Sequence, residues 1–136
     1  MNDHVLLIRH REHASGRAYW VLPGGGLESG ETEQECVVRE VNEETNLEVS
    51  VDRLLFDEPG EPEGVYQWRK TYLCRPVGGE ASPGYEPEAE AAENYSIIAV
   101  RWFNLRDMNC WTTDLIHDPF TYPQLVRARQ ALGYRD

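Results

Sequence analysis

The chain contains 136 residues, of which 40% are hydrophobic and 27% charged. This length suits one globular domain over residues 1–136 and argues against a two-domain enzyme, while the hydrophobic content argues against wholesale disorder. Thirteen Lys and Arg residues oppose 24 Asp and Glu residues, and the net charge of −11 disfavours electrostatic binding of nucleic acids or anionic membranes. An anionic ligand would therefore need a divalent cation.

Cysteine spacing and the apolar runs indicate the cellular compartment. The three cysteines form no C-x-x-C pair, so the sequence suggests neither a disulfide framework nor a zinc site. Apolar runs such as residues 5–8 are too short for a signal-peptide core or a membrane span. We therefore expect a cytoplasmic protein that binds neither a membrane nor nucleic acid.

The first part of the chain predicts two strands and a glycine-rich loop. Short β-rich runs at residues 5–8 and 19–22 flank a polar turn at 11–17, which joins them as antiparallel neighbours. Residues 23–26, Pro-Gly-Gly-Gly, then prevent regular structure and let the backbone approach another group closely. The loop is expected to continue to Glu31.

A capping box predicts the start of a helix. Thr32 and Glu35 have the spacing at which the Thr hydroxyl caps the helix and the Glu carboxylate reaches back to the Thr amide. We expect this helix to run to Thr45 and to end at Asn46, because Asn tolerates the left-handed conformation that follows many helices.

The remainder predicts an acidic segment between strands. Residues 78–94 contain five Glu and two Pro but no Lys or Arg, so this segment is expected to be an excursion from the domain. The other predicted elements are strands at residues 47–56, 65–77 and 97–103, a loop at 57–64 and a final helix at 123–132.

Three carboxylates share one face of the predicted first helix. At about 100° per residue, Glu40, Glu43 and Glu44 fall within about 100° of one another. Carboxylates at this spacing are the hard oxygen ligands that Mg²⁺ prefers. Taken alone, however, such a cluster is more typical of a solvent-exposed helix face.

The glycine-rich loop and the helix together carry a longer pattern. Gly25 is followed after five residues by Glu31, and after seven more by Arg39-Glu40-Val41-Asn42-Glu43-Glu44-Thr45-Asn46-Leu47. This stretch resembles the signature of the Nudix hydrolases, G-x5-E-x7-R-E-U-x-E-E-x-G-U, in which U is a bulky aliphatic residue. The one departure is Asn46, where the family usually has Gly; both residues tolerate positive φ.

The resemblance implies a fold. Nudix hydrolases form an α/β/α sandwich around a mixed β-sheet, and relatives usually have a strand before the one corresponding to residues 5–8. Only Met1 to His4 precede that strand here, so either the start is truncated or the sheet lacks the strand. Because an exposed sheet edge is commonly covered by a second chain, we expect a homodimer.

The resemblance also implies a role for each motif position. Glu40, Glu43 and Glu44, with the backbone carbonyl of Gly24, would hold Mg²⁺, for which Mn²⁺ is a substitute. The motif positions expected to act structurally are Gly25, Glu31 and Arg39.

The catalytic base varies among relatives, so alternatives stay open. Glu43 or Glu40 in the motif could activate the attacking water. In some relatives the base comes from a loop before the late strand, and there we favour Glu93, then Glu90. Any single glutamate in that segment is more typical of a solubilising surface charge.

The reaction implied is hydrolysis of a diphosphate linkage in a nucleoside diphosphate attached to another group, or in a nucleoside triphosphate. Candidate residues for substrate contact are Arg9, Trp20 and Tyr66, although the aromatic ones could be core and the Arg a surface charge. The alternative is a non-catalytic Nudix domain that binds a nucleotide and regulates a partner. The complete set of motif glutamates favours the enzyme.

Overall fold

The computed structural model describes residues 3–60, 68–85 and 89–134, without the side chains of residues 89–91. The described elements are β1 (His4–Glu12), β2 (Ala18–Val21), α1 (Glu33–Thr45), β3 (Glu48–Pro59), β4 (Trp68–Gly78), α2 (Ala89–Asn94), β5 (Tyr95–Asn104), a 3₁₀ turn (Met108–Cys110), α3 (Thr113–Ile116) and α4 (Thr121–Ala131). Within these described residues, no helix is both long and apolar enough to cross a membrane.

The strands form two antiparallel sheets, with orders β2-β1-β5 and β3-β4. The described pairings are all antiparallel. The strands of the β1-β2 and β3-β4 pairs are joined by short connections, residues 13–17 and 60–67. Both are shorter than the dozen or so residues that a parallel crossover requires.

The β2-β1-β5 sheet is covered on both faces. Neighbouring residues of β1 point to opposite faces, so Leu6 and Leu7 belong to different hydrophobic clusters. Leu6 packs with Val41 of α1, whereas Leu7 packs with Leu115 of α3 and Leu125 of α4. The result is a helix, sheet, helix arrangement in which α1 occupies one outer layer.

Helix α1 begins and ends where the sequence predicts. The Glu35 amide donates to Thr32 Oγ1 at 3.1 Å, and the Thr32 amide donates to Glu35 Oε1 at 2.9 Å, which completes the capping box. At the other end, Asn46 adopts φ 61°, and its amide donates to the carbonyl of Asn42 at 2.9 Å. These caps fix the register of the motif helix.

Element ends elsewhere differ from the predictions. Strand β3 continues past residue 56 to Pro59, because its last residues pair with the start of β4. The acidic segment contains a short helix, α2, and the final helix begins at Thr121 rather than at residue 123. The first residues of the predicted strand at 65–77 lie outside the described residues.

Candidate functional site

The glycine-rich loop lies directly against helix α1. The Gly24 amide donates to Glu44 Oε1 at 2.7 Å. A Cβ atom at Gly25 would lie 2.4 Å from Glu40 Oε1, so any side chain there would require the loop or the Glu40 carboxylate to shift. The loop backbone thus forms one wall of a recess whose other wall is the carboxylate face of α1.

Two of the motif carboxylates are buried in this recess. Glu40 and Glu44 are each 1% exposed and lie one helical turn apart, while the Glu43 side chain is 18% exposed. Burying a carboxylate costs free energy unless hydrogen bonds or a positive charge compensate it. The fold therefore concentrates negative charge here and must balance it locally.

Arg39 ties the loop to the helix. Its Nε donates to Glu31 Oε2 at 2.6 Å and its Nη2 to Glu31 Oε1 at 3.0 Å, while Nη2 also donates to the carbonyl of Gly26 at 3.1 Å. The hydrogen bonds from Arg39 lower the pKa of Glu31 to about 2, and the same contact raises the pKa of the Arg39 guanidinium. The structure therefore brings together the pair predicted to act structurally.

Arg39 also balances the motif carboxylates. Its Nη1 donates to Glu40 Oε1 at 3.0 Å and to Glu43 Oε2 at 3.1 Å. In the part of the chain that the structure describes, no group of three or more His, Cys, Asp or Glu side chains converges at metal-binding distances. The expected ligands Glu40 and Glu43 instead converge on one guanidinium nitrogen.

The chemistry of the recess fits a divalent cation. Carboxylates from two successive turns of α1 face a loop in which Gly25 lies directly against the Glu40 carboxylate. Gly24, whose carbonyl is the fourth expected ligand, contacts Glu44 through its amide. Carboxylate and carbonyl oxygens are the donors that Mg²⁺ and Mn²⁺ take.

Cys36 is a site residue that the sequence analysis does not single out. It is buried under the loop, and its Sγ lies 3.5 Å from the carbonyl oxygen of Gly26 and 3.8 Å from that of Gly25. Burial raises the pKa of the Cys36 thiol to about 11, so the thiol stays protonated and donates to the loop. The sequence feature that could have indicated this role is the position of Cys36, one turn before Arg39 on the apolar edge of the helix.

A cavity of about 480 Å³ opens beside the recess. Its walls are mainly apolar, and the motif contributes one end of the lining. Lining residues that bear on binding are Gly24, Gly25, Glu40, Trp68, Tyr72 and Phe120. A volume of this size accommodates a small organic molecule such as a nucleoside.

One cavity wall is fastened to the start of α1. The Tyr72 hydroxyl donates to Glu33 Oε1 at 2.8 Å, and Lys70 Nζ lies 2.8 Å from Glu33 Oε2. The hydrogen bond from Lys70 lowers the pKa of Glu33, and burial raises the pKa of Tyr72 to about 12. These contacts hold β4 and the motif helix in a fixed relation.

Two predicted substrate contacts are placed elsewhere. Arg9 Nη1 donates to Asp114 Oδ2 at 2.9 Å, and its guanidinium lies 5.1 Å from the ring centre of Trp20. Trp20 is 7% exposed and packs edge-on against Phe103 in the core. Neither Arg9 nor Trp20 is among the described residues that line the cavity, and their contact with substrate stays a prediction. Tyr66, the third, lies outside the described residues.

Glu93 lies near the end of α2, with its side chain exposed. His13 Nδ1 donates to the Glu93 carbonyl at 2.7 Å, and His13 Nε2 lies 2.6 Å from Ser96 Oγ. These contacts anchor the backbone of the candidate base where β5 begins. The Glu90 side chain lies outside the described part of the structure.

Comparison with known proteins supports the Nudix resemblance along most of the chain. A model of the NUDIX domain matches residues 1–123. The human 8-oxo-dGDP phosphatase NUDT18 is 38% identical over 67% of this chain, and the NAD-capped RNA hydrolase NudC of Photobacterium profundum is 36% identical over 65%. The matches span only 27% and 32% of those two proteins.

Solved structures agree with the sequence comparison. An ADP-ribose pyrophosphatase from Streptococcus suis superposes with a TM-score of 0.67 at 25% identity, covering 100% of this chain and 87% of that one. This likeness confirms the fold class expected from the sequence. With its loop, motif helix and family match in agreement, the chain belongs to the NUDIX domain family.

Proposed function

We propose that this protein hydrolyses a diphosphate linkage in a small nucleotide derivative with the help of a divalent cation. The observation that carries the proposal is the recess in which buried Glu40 and Glu44 face the Gly24–Gly25 backbone. A pair of buried carboxylates beside a cavity is costly for stability alone, and it suits a site that binds a cation and a polyphosphate.

The proposed ligands are Glu40, Glu43, Glu44 and the Gly24 carbonyl, with Mg²⁺ as the cation and Mn²⁺ as a substitute. When bound, the cation supplies positive charge that neutralises the diphosphate and lowers the pKa of an attacking water. Because Arg39 Nη1 donates to both Glu40 and Glu43, it keeps these two carboxylates together before a cation is present.

A general base must reach the attacking water, and exposure separates the candidates. Glu40 is 1% exposed, which suits a ligand better than a base. The side chains of Glu43 and Glu93 both reach solvent, and we propose Glu93 as the base, with Glu43 as the alternative within the motif.

The proposed substrate class is a nucleoside diphosphate joined to a second group, or a nucleoside triphosphate. The relatives are named for 8-oxo-dGDP, NAD-capped RNA and ADP-ribose, which share a nucleoside and a diphosphate. In this chain, Trp68, Tyr72 and Phe120 line the cavity and offer aromatic surface to a base. A net charge of −11 favours a small-molecule substrate over a nucleic acid.

The test is product release from a panel of candidate substrates, measured with and without Mg²⁺. The panel comprises ADP-ribose, dinucleotides, nucleotide sugars, diadenosine polyphosphates and normal and oxidised nucleoside triphosphates. The Glu44→Gln variant is the control, because the amide keeps an oxygen that can accept from Gly24 but loses the charge. Mg²⁺-dependent turnover that disappears in the variant supports the proposal. A nucleotide that raises the melting temperature without being hydrolysed would instead favour a non-catalytic binding domain.

A homodimer and a cytoplasmic location complete the proposal. Among the described pairings, β2 is bonded on one side only, so its outer edge can pair with a second chain. The three cysteines, Cys36, Cys74 and Cys110, are free, which suits a reducing compartment. Light scattering over a concentration series tests the dimer.

A further inference from the structure

The segment 79–85, here termed the strap, runs along the last turn of α1. The amides of Ser82, Gly84 and Tyr85 donate to the carbonyls of Thr45, Glu44 and Glu43 at 2.8, 2.9 and 2.9 Å. These are carbonyls that a helix end leaves without partners inside the helix. The strap therefore caps α1 with main-chain donors.

Two glycines let the strap approach this closely. A Cβ atom at Gly84 would lie 1.9 Å from the Glu43 carbonyl oxygen. Gly79 adopts φ +76°, and a Cβ atom there would lie 2.6 Å from the Asn46 carbonyl oxygen. Both contacts are with backbone, which cannot swing aside, so the strap is shaped to lie on this helix end.

Asn46 fastens the strap with its side chain. Its Nδ2 donates to Ser82 Oγ at 2.9 Å and lies 3.3 and 3.2 Å from the carbonyl oxygens of Ser82 and Pro83. The glycine that the family usually has here would supply the left-handed conformation but none of these hydrogen bonds. The departure from the family pattern is thus the residue that contacts the strap.

We propose that Asn46 is a positioning residue for hydrolysis: by holding the strap on α1, it fixes the turn of the helix that carries Glu43 and Glu44. This inference rests on the proposed function. Glu43 and Glu44 supply both the carbonyls that the strap binds and the carboxylates assigned to the cation.

The hypothesis that Asn46 only caps the helix and the hypothesis that it positions the site predict different results. Glycine fits the left-handed conformation at least as well as asparagine, and the backbone bond from residue 46 to Asn42 does not depend on the side chain. If Asn46 only ended the helix, Asn46→Gly would leave both stability and turnover unchanged. A positioning role predicts that turnover falls while the fold stays intact.

The experiment compares Asn46→Gly and Asn46→Asp with the wild type. Asn46→Asp keeps the shape of the side chain but cannot donate to the carbonyls of Ser82 and Pro83. Asn109→Gly, at an exposed asparagine of the 3₁₀ turn, is the matched control for the chemical change. The measurements are kcat and KM on the substrate that the wild type hydrolyses fastest, melting temperature, and hydrogen exchange of the strap amides.

Both Asn46 variants should exchange the amides of Ser82, Gly84 and Tyr85 faster and lose about tenfold in kcat, with KM within about twofold. Melting of Asn46→Gly should stay within a few degrees of the wild type. Faster exchange with unchanged kcat would overturn the positioning role, and unchanged exchange would overturn the fastening itself. A wild type that hydrolyses nothing on the panel would overturn the proposed function, and this inference with it.

Discussion

Arg39 and Glu31 form a two-pronged ion pair across the junction between the glycine-rich loop and helix α1, at 2.6 and 3.0 Å. The same guanidinium donates to Glu40 and Glu43, so one positively charged side chain contacts both the loop and the carboxylate face of α1. Loop geometry and site electrostatics are therefore coupled through a single side chain.

Replacing Arg39 should destabilise the protein more than an exposed ion pair would. Arg39→Met removes the partner of Glu31 and a positive charge beside buried Glu40, and we expect a loss of about 2 kcal/mol in the free energy of unfolding. Urea denaturation measures this loss in the free energy of unfolding. Arg127→Met, which removes a more exposed pair with Glu58, is the control and should cost less. Equal losses would show that Arg39 is an ordinary surface partner.

Stability should depend on pH through Glu31. Its pKa is lowered from 4.5 to about 2, so the folded state favours the charged form. The stabilisation is complete above pH 4.5, and it is lost as pH falls through about 2, because the unfolded chain binds the proton first. The stability difference between the wild type and Glu31→Gln should therefore shrink as pH falls through this window in denaturation curves. A constant difference would show that the pair does not set the pKa.

Much of this site could be predicted because its signals are local. The capping box of Thr32 and Glu35 and the helix end at Asn46 depend on residues within one or two turns, and the structure has both. The contacts of Asn46 with Ser82 and Pro83 join residues far apart along the chain, and no spacing rule reveals them. Trp20 likewise lies in the core because it packs against Phe103, and a hydrophobic pattern in the sequence does not show which residues pack together.

The close approach of Gly25 to Glu40 predicts a steric effect. Gly25→Ala would bring a methyl group 2.4 Å from Glu40 Oε1, and we expect a loss of about 2 kcal/mol in stability together with reduced turnover. Gly24→Ala is the stability control, because no described heavy atom lies within 4 Å of its added Cβ atom apart from chain neighbours. Thermal denaturation of both variants measures the difference in stability. Equal melting temperatures would mean that the loop or the Glu40 carboxylate moves aside without cost.

Cation binding should stabilise the folded protein. A ligand at about a hundred times its dissociation constant adds about 2.7 kcal/mol to the free energy of unfolding. We expect Mg²⁺ to raise the melting temperature of the wild type, EDTA to reverse the effect, and Glu44→Gln to respond much less. Glu80→Gln, on the exposed strap, should respond like the wild type. An equal Mg²⁺ response in Glu44→Gln would remove Glu44 from the ligand set.

Glu93→Gln distinguishes the two proposed sources of the base. The substitution preserves the backbone carbonyl that His13 contacts, so α2 should keep its place at the start of β5. If Glu93 activates the water, kcat should fall by about a hundredfold with little change in KM, because the lost interaction acts in the transition state. An unchanged kcat in this variant would assign the base to Glu43, and the corresponding loss would then appear in Glu43→Gln.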